Sequence, residues 1–159
     1  MNQIVQINDV AGYLRRHLAD VFDTMLAMQA EFVPSADLPT THERVTGSVG
    51  FAGDDVHGAV YLHLPAPFAV QAAAAMLGLP AEELTGEAEV NDVVGEMTNM
   101  LTGGLKSWLC DAGKPCAVST PAIIRGAYVI EPLPEVEREF LVFDCGAVQV
   151  VVEVHIKLS

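Results

Sequence analysis

The amino-acid sequence predicts an α+β fold in which an antiparallel β-sheet has long helices packed on one face. Two long segments have apolar residues at helical spacing, and strand-like segments follow each of them. The last strand-like segment alternates strictly between apolar and polar residues, which is typical of a sheet with one covered face. We expect one domain, residues 1–159, because a chain of this length buries about 70% of its unfolded surface.

The first helix is expected to be capped by Asn8 or Asp9, whose side chains can accept hydrogen bonds from free backbone N–H groups. Pro34 and the Pro-Thr-Thr segment 39–41 are expected to end it. Its apolar positions recur every three or four residues, and they are Val10, Leu14, Leu18, Val21, Met25, Met28 and Phe32.

Two strands are expected next, at about 43–51 and 56–64, because both segments are rich in residues that favour strands. The loop between them, 52–55, has the sequence Ala-Gly-Asp-Asp and is typical of a hairpin. A short buried helix is predicted at 65–77, where alanine is abundant, and Gly78 follows it as a stop.

The second long helix is predicted at about 87–112, with acidic residues in its first turns and Gly113 after its end. Three strands are expected to follow, at about 116–124, 138–145 and 148–158. In the last of them, one face is entirely apolar: Val148, Val150, Val152, Val154, Ile156 and Leu158.

The two halves of the chain resemble a faint duplication, since each contains a long helix followed by strands. One register aligns the Asn-Asp-Val triplets at 8–10 and 91–93, and a second aligns the Met-Leu pairs at 25–26 and 100–101. The sequence does not decide between the two registers. Neither register repeats in the first helix the acid–amide pair of the second helix, so we expect a single site.

The composition excludes several classes of partner. The formal net charge is −13, and only eight Lys and Arg are present. Binding to nucleic-acid phosphates or to an anionic membrane needs clustered cations, so neither partner is expected. No apolar run is long enough to span a bilayer, and the N-terminus lacks the features of a secretory signal.

Metal binding and covalent catalysis are not favoured by the motifs. His57 and His63 are expected on one side of a strand and His155 on the polar face of another, without the spacing of a metal motif, so we interpret them as exposed histidines. There is no Gly-x-Ser-x-Gly. The three cysteines are expected to be reduced thiols, and they are Cys110, Cys116 and Cys145.

The second long helix has a polar arc that is separate from its apolar stripe. Asp92, Glu96, Asn99 and Gly103 lie together on this arc, and positions three and four apart are neighbours, so Glu96 and Asn99 project side by side. The apolar stripe, which is expected to face the core, consists of Val90, Val94, Met97, Leu101, Leu105 and Trp108.

Two glycines interrupt this helix, although glycine inside a helix costs about 1 kcal/mol relative to alanine. Gly103 lies one turn beyond Asn99 on the polar arc, where a missing side chain lets another backbone come close. Gly104 lies near the apolar stripe, and we expect it to serve packing of the helix on the sheet. A glycine beside an acid–amide pair indicates a docking surface.

The residues of this arc resemble the signature of the CheC, CheX and FliY chemotaxis phosphatases, in which Asp or Ser precedes Glu by four positions and Asn follows Glu by three. Asp92, Glu96 and Asn99 match it, and the string 93–106, VVGEMTNMLTGGLK, is similar to the CheX version. Pro121 lies within about one residue of the place where the family has a downstream proline. A single polar pair matches the CheX branch better than CheC, which usually has two. The resemblance covers the order of elements over nearly the whole chain, including the pseudo-duplicated architecture of helix plus strands.

The resemblance implies dephosphorylation of the aspartyl phosphate of a CheY-like response regulator. Glu96 and Asn99 would be catalytic, with Asn99 orienting the attacking water and Glu96 pairing with a lysine of the receiver domain. Asp92 and Gly103 are expected to contact the partner. No cofactor of the chain's own is implied, and magnesium is expected on the response-regulator partner.

The same resemblance implies a homodimer that forms through the sheet, and the three reduced thiols indicate a cytoplasmic protein. The last strand, 148–158, would offer an unpaired edge if it lay outermost. The alternative is a non-catalytic CheX-like binding module that uses the same helix face to dock a signalling or flagellar-switch partner.

Overall fold

Three α-helices and seven strands form the part of the chain that the computed structural model describes, residues 4–34 and 42–159. The helices are α1 (Ile7–Leu26), α2 (Ala66–Leu77) and α3 (Glu87–Asp111), with a short 3₁₀ turn at Ala81–Glu83. The strands are β1 (Glu31–Phe32), β2 (Arg44–Ala52), β3 (Val56–Pro65), β4 (Ala117–Val118), β5 (Ala122–Gly126), β6 (Glu137–Cys145) and β7 (Val148–Leu158).

The strands form one antiparallel sheet in the order β1-β6-β7-β3-β2, with β4 and β5 both paired to the outer side of β2. The two halves of the chain interlock, because the short strand of each half pairs with the hairpin of the other. β1 pairs with β6, β4 and β5 pair with β2, and β3 and β7 meet at the centre. The predicted α+β class and the repeated arrangement of helix plus strands are both confirmed.

The core lies between the three helices and one face of the sheet. In α1, Leu14 and Phe22 are fully buried, and in α3, Met97 and Leu105 are fully buried opposite them. Each such side chain stabilises the fold by about 1.5–3 kcal/mol. The predicted alternation of β7 supplies the sheet side of this core with Val150, Val152, Val154 and Ile156.

The first helix is shorter than predicted. It ends at Leu26, and Ala27 takes a left-handed conformation with φ 53°. The Ala27 N–H donates to Asp23 O at 3.1 Å and the following N–H donates one turn back, so the end is closed without a glycine. Phe32 packs on the core from β1 instead of from the helix. The predicted stop at 39–41 lies outside the described residues.

The start of the same helix also differs from the prediction, since Gln6 is the N-cap residue. Asp9 occupies the third helical position, and its carboxylate accepts the Gln6 backbone N–H at 3.0 Å. Asp9 therefore does satisfy a free N–H group at this end, but from inside the helix and not as the cap.

The predicted strand 116–124 is two short strands, β4 and β5, separated by Ser119, Thr120 and Pro121. Proline has no N–H to donate to a sheet ladder, so pairing with β2 stops before Pro121 and resumes at Ala122. Between the two strands, the Ser119 N–H still donates to Gly50 O at 2.8 Å. This break brings Pro121 close to α3.

The last strand lies in the middle of the sheet, so the condition under which it would offer an unpaired edge is not met. It pairs with β3 on one side and β6 on the other. The polar face of the sheet is also covered next to β7, because Tyr128 lies over His63 of the neighbouring strand β3, with ring centroids 6.5 Å apart. Arg44 stacks over the Tyr128 ring and donates to its carbonyl oxygen.

Two of the histidines interpreted as exposed are buried on this face of the sheet. His63 and His155 are each 6% exposed, and both contact Glu153, which is 3% exposed. The ring atoms His63 Nε2 and His155 Nε2 lie 2.9 and 2.5 Å from the two carboxylate oxygens, and Thr46 Oγ1 lies 2.8 Å from His63 Nδ1. The sequence interpretation failed because it assumed an uncovered polar face. His57 is exposed as expected.

Glu153 is held in its ionised form by its two histidine partners. Burial by itself raises the pKa of the carboxyl group, but the hydrogen bonds from His63 and His155 and their charge outweigh burial and lower the pKa below its ordinary value of 4.5. A carboxyl group with a lowered folded-state pKa stabilises the fold above its unfolded-state pKa. That stabilisation disappears as the pH falls through the folded-state pKa.

We predict that Glu153→Gln lowers the free energy of unfolding at pH 7 by about 1–3 kcal/mol, because one buried histidine N–H loses its acceptor. The difference from wild type should shrink below pH 4.5, where the wild-type carboxyl group also takes up a proton. Urea unfolding at a series of pH values below 7 measures this difference in the free energy of unfolding. Glu137→Gln on the exposed part of β6 is the control. A difference that stays constant over this range would contradict the assignment.

Candidate active site

Helix α3 presents the polar arc, and its first turn is fixed by local contacts. The Thr85 backbone N–H donates to Glu89 Oε1 at 2.5 Å, and the Thr85 hydroxyl donates to the same oxygen. These side-chain and backbone hydrogen bonds lower the pKa of Glu89, so the carboxylate is kept at the positive end of the helix. The helix then runs for 25 residues without a break.

The middle of α3 lies directly on β2 because one residue of that strand has no side chain. A Cβ atom at Gly47 would lie 1.9 Å from Thr98 Oγ1, a distance at which atoms clash. The Thr98 hydroxyl donates to Val94 O at 2.7 Å, and the Thr102 hydroxyl donates to Thr98 O at 2.8 Å, so both buried hydroxyls are satisfied within the helix. This contact was not predicted from the sequence, although both threonines fall beside the apolar stripe on the helical wheel.

The predicted arc points away from the sheet. Asp92 and Glu96 are exposed, and Asn99 and Gly103 are partly exposed. Within residues 4–34 and 42–159, none of the side chains of Asp92, Glu96 and Asn99 makes a hydrogen bond or an ion pair. The acid and the amide are therefore side by side on a rigid helix with their polar atoms available to a partner.

One flank of the arc is formed by β5 and the residue before it. Pro121 and Ile123 lie beside Gly95, where an added Cβ would be 3.5 Å from Pro121. Further toward the helix start, Arg125 Nε donates to Asn91 Oδ1 at 2.9 Å. The break between β4 and β5 thus places a proline next to the segment that includes Glu96 and Asn99.

The other flank is formed by α1. His17 Nε2 donates to Met100 O at 3.1 Å, and the Tyr13 ring stacks on Trp108 with centroids 5.6 Å apart. A Cβ atom at Gly104 would lie 2.3 Å from His17 Nε2 and 2.6 Å from the Tyr13 hydroxyl oxygen. Gly104 therefore serves packing of α3 against α1, and the expectation that it packs on the sheet is wrong. A Cβ at Gly103 would meet nothing within 4 Å.

The described residues contain no group of three His, Cys, Asp or Glu side chains arranged to hold a metal ion. All three cysteines are free, and burial raises the pKa of both Cys116 and Cys145, which disfavours the reactive thiolate. No helix in the described ranges is both long and apolar enough to cross a membrane. The polar side chains of the arc itself are the carboxylates of Asp92 and Glu96 and the carboxamide of Asn99.

The family model of the chemotaxis phosphatase CheX matches residues 45–144. The chain belongs to the CheX family. The match includes the whole of α3 and confirms the CheX branch that the motif indicated. No curated protein sequence matches the chain.

Solved structures of CheX-like proteins have the same fold over almost the whole chain. The chemotaxis protein CheX from Vibrio vulnificus is 24% identical with a TM-score of 0.80, and the alignment covers 97% of this chain and 100% of that one. A CheC-like chemotactic protein from Shewanella oneidensis is 25% identical with a TM-score of 0.76, covering 96% and 100%. The CheX of a CheX–CheY–BeF3–Mg2+ complex from Borrelia burgdorferi is 19% identical with a TM-score of 0.76, covering 94% and 98%.

We predict opposite effects on stability for the two neighbouring glycines. Gly103→Ala should raise the free energy of unfolding by about 0.5–1 kcal/mol, because alanine favours a helix and the added methyl group meets open space. Gly104→Ala should lower it by about 1–3 kcal/mol, because the methyl group displaces the packed rings of Tyr13 and His17. Urea unfolding of both variants measures this, and a Gly104→Ala protein as stable as wild type would disprove the assigned contact.

Proposed function

We propose that this CheX-family protein removes the aspartyl phosphate of a CheY-like response regulator by inserting Glu96 and Asn99 of α3 into the receiver active site. The observation that supports it most directly is the acid–amide pair on the outer side of α3, in which Glu96 is exposed, Asn99 is partly exposed, and neither has a partner among the described residues. The proposal also draws on the related CheX that was solved in a complex with CheY, BeF3 and Mg2+.

Asn99 is proposed to orient the water that attacks phosphorus. A carboxamide has both a donor and an acceptor, so it can accept a hydrogen bond from the water while donating to a phosphoryl oxygen. Phosphoryl transfer depends mainly on positioning and charge stabilisation, and a glutamine plays the equivalent part in Ras-like GTPases. The water oxygen bonds to phosphorus, the bond to the aspartyl oxygen breaks, and inorganic phosphate and the free aspartate are the products.

Glu96 is proposed to pair with the lysine of the receiver active site. The carboxylate is exposed in the free protein, so it would lose water only when the partner docks. An ion pair that is desolvated at an interface contributes more to register and affinity than an exposed pair does. In this arrangement Glu96 sets the position of α3 along the receiver, and Asn99, one turn further, is placed at the phosphoryl group.

Asp92 and Gly103 are proposed to contact the receiver at the two ends of the arc. Asp92 is exposed one turn before Glu96, where it can act as a rim contact. Gly103 has open space where its side chain would be, so a partner backbone can approach α3 closely there. The chain itself supplies no cofactor in this proposal, and magnesium belongs to the receiver. We expect the protein to act in the cytoplasm, where a phosphorylated receiver is available.

We predict that Asn99→Ala abolishes the acceleration of phosphate release, lowering it by at least about 100-fold, because the water is no longer positioned. Binding to the receiver should be largely intact. Phosphate release from candidate phosphorylated CheY-like receivers measures it, with Ser107→Ala on an exposed position of the same helix as control. A release rate equal to that of wild type would rule out the proposed role of Asn99.

Glu96→Ala should behave differently, because it removes one partner of an ion pair that docking desolvates, at a cost of about 2–5 kcal/mol. Its affinity for the receiver should therefore fall together with its rate. If the wild-type protein binds phosphorylated receivers but releases no phosphate, the chain is a non-catalytic binding module that docks through the same face.

We also propose that the chain forms a homodimer through a margin of its sheet. The margins within the described residues are formed by the short strands β1, β4 and β5 and by the part of β6 that β1 does not cover. Such incompletely paired margins invite pairing with another copy.

Sedimentation at micromolar concentration should show a species of twice the 16.9 kDa mass of the chain. A species of single mass at every concentration tested would overturn the dimer and leave the proposed catalysis unaffected.

A further inference from the structure

Arg125 connects the start of α3 to β5. Its Nε donates to Asn91 Oδ1 at 2.9 Å, and its Nη2 lies 3.5 Å from Glu87 O. The same guanidinium approaches the Glu87 carboxylate at 3.7 Å. Within residues 4–34 and 42–159, these are the side-chain hydrogen bonds that join α3 to β5. The arginine is only partly exposed, so its geometry is held by packing as well as by these contacts.

The other contact of α3 on this flank is centred on Gly95, which faces Pro121 and Ile123. Gly95 contributes no side chain, and a methyl group there would still find ordinary contact distances of 3.5 Å to Pro121 and 3.8 Å to Ile123. Interdigitated side chains oppose rotation of packed helices, whereas a glycine facing a proline does not. The polar link at Asn91 is thus the directional contact on this side of α3.

We propose that Arg125 is a positioning residue for the proposed phosphatase reaction, since its link to Asn91 holds the first half of α3 against β5 and thereby refines the direction of Glu96 and Asn99 that the contact with β2 sets. This inference rests on the proposed function of the arc. Arg125 touches neither Glu96 nor Asn99, and it acts only through the helix.

A small rotation is enough to matter. A side-chain tip lies several ångströms from the helix axis, so a rotation of about 10–20° displaces it by about 1–2 Å. A displacement of about 1 Å in a catalytic group can lower a rate about 100-fold. Asn91 precedes Glu96 by five residues and Asn99 by eight, so all three belong to one rigid stretch of helix.

A purely electrostatic role makes a different prediction. Glu87, Asp92 and Glu96 are acidic, and Arg125 would offset part of their charge wherever its cation lay. A lysine would do the same. Lysine does not reproduce the planar fork that reaches Asn91 and the Glu87 carbonyl together, so Arg125→Lys separates positioning from charge.

The test uses the full chain and measures phosphate release over a range of phosphorylated receiver concentrations. Arg125→Met and Asn91→Leu should each lower the rate at saturating receiver by about tenfold, with little change in the half-saturating concentration. Arg125→Lys should not restore the rate. Asn91→Asp keeps an acceptor oxygen for Arg125, so its rate should equal that of wild type. The rate of the double variant Arg125→Met/Asn91→Leu should be no lower than that of either single variant, because both changes break the same contact. Lys157→Met, which also loses one positive charge and one ion pair but lies on β7 in the middle of the sheet, is the control.

Amide hydrogen exchange along α3 in the free protein provides a readout without activity. Exchange near Asn91 should be faster in Arg125→Met and Asn91→Leu, and unchanged in Asn91→Asp and Lys157→Met. Unchanged exchange in Arg125→Met overturns the positioning role, as does full restoration of the rate by Arg125→Lys. If wild type releases no phosphate from any receiver, the proposed function fails, and the link between Arg125 and Asn91 is then judged by exchange alone.

Discussion

The direct contact of α3 with β2 is the constraint on which the candidate site depends. Because Gly47 has no side chain, Thr98 packs directly against the backbone of β2. The Thr98 hydroxyl is satisfied within the helix, since it donates to Val94 O. Asn99 is the next residue, about 100° further round the helix, so its side chain lies on the polar arc and not in the contact with β2. A larger residue at position 47 would lift α3 and move the whole arc, so the sheet determines where the acid and the amide lie.

The polar arc lies on α3, in the second half of the interlocked fold. Both halves supply a long helix, and each short strand completes the other half's sheet. The two helices are used differently, however. On α1, the aromatic side chain of Tyr13 and the imidazole of His17 lie across Gly104 and support α3, whereas α3 turns its polar side chains outward. The first helix therefore helps to hold the second long helix in position.

Periodicity predicted the parts of the structure that one segment determines by itself. The bounds of α3, the core face of β7 and the outward direction of Glu96 follow from spacing along one element. The end of α1 did not, because Ala27 adopts a left-handed conformation where the sequence has no glycine to mark it. The contacts of His63 with Glu153 and of Arg125 with Asn91 join residues 90 and 34 positions apart, and no local pattern records such pairings.

The strongly acidic composition is compatible with a reaction at a phosphoryl group, provided that the cations belong to the partner. Most enzymes that transfer phosphoryl groups use their own lysine, arginine or magnesium to offset the charge. In the proposed reaction the receiver supplies magnesium and lysine, so the helix needs only a carboxylate to meet that lysine and an uncharged amide to hold water. The few arginines can then serve the fold: Arg44 stacks on Tyr128, and Arg125 holds the helix at Asn91. In the proposed reaction, the net charge of −13 would favour approach to the receiver's lysine and would disfavour contact with the phosphoryl group except through the uncharged amide.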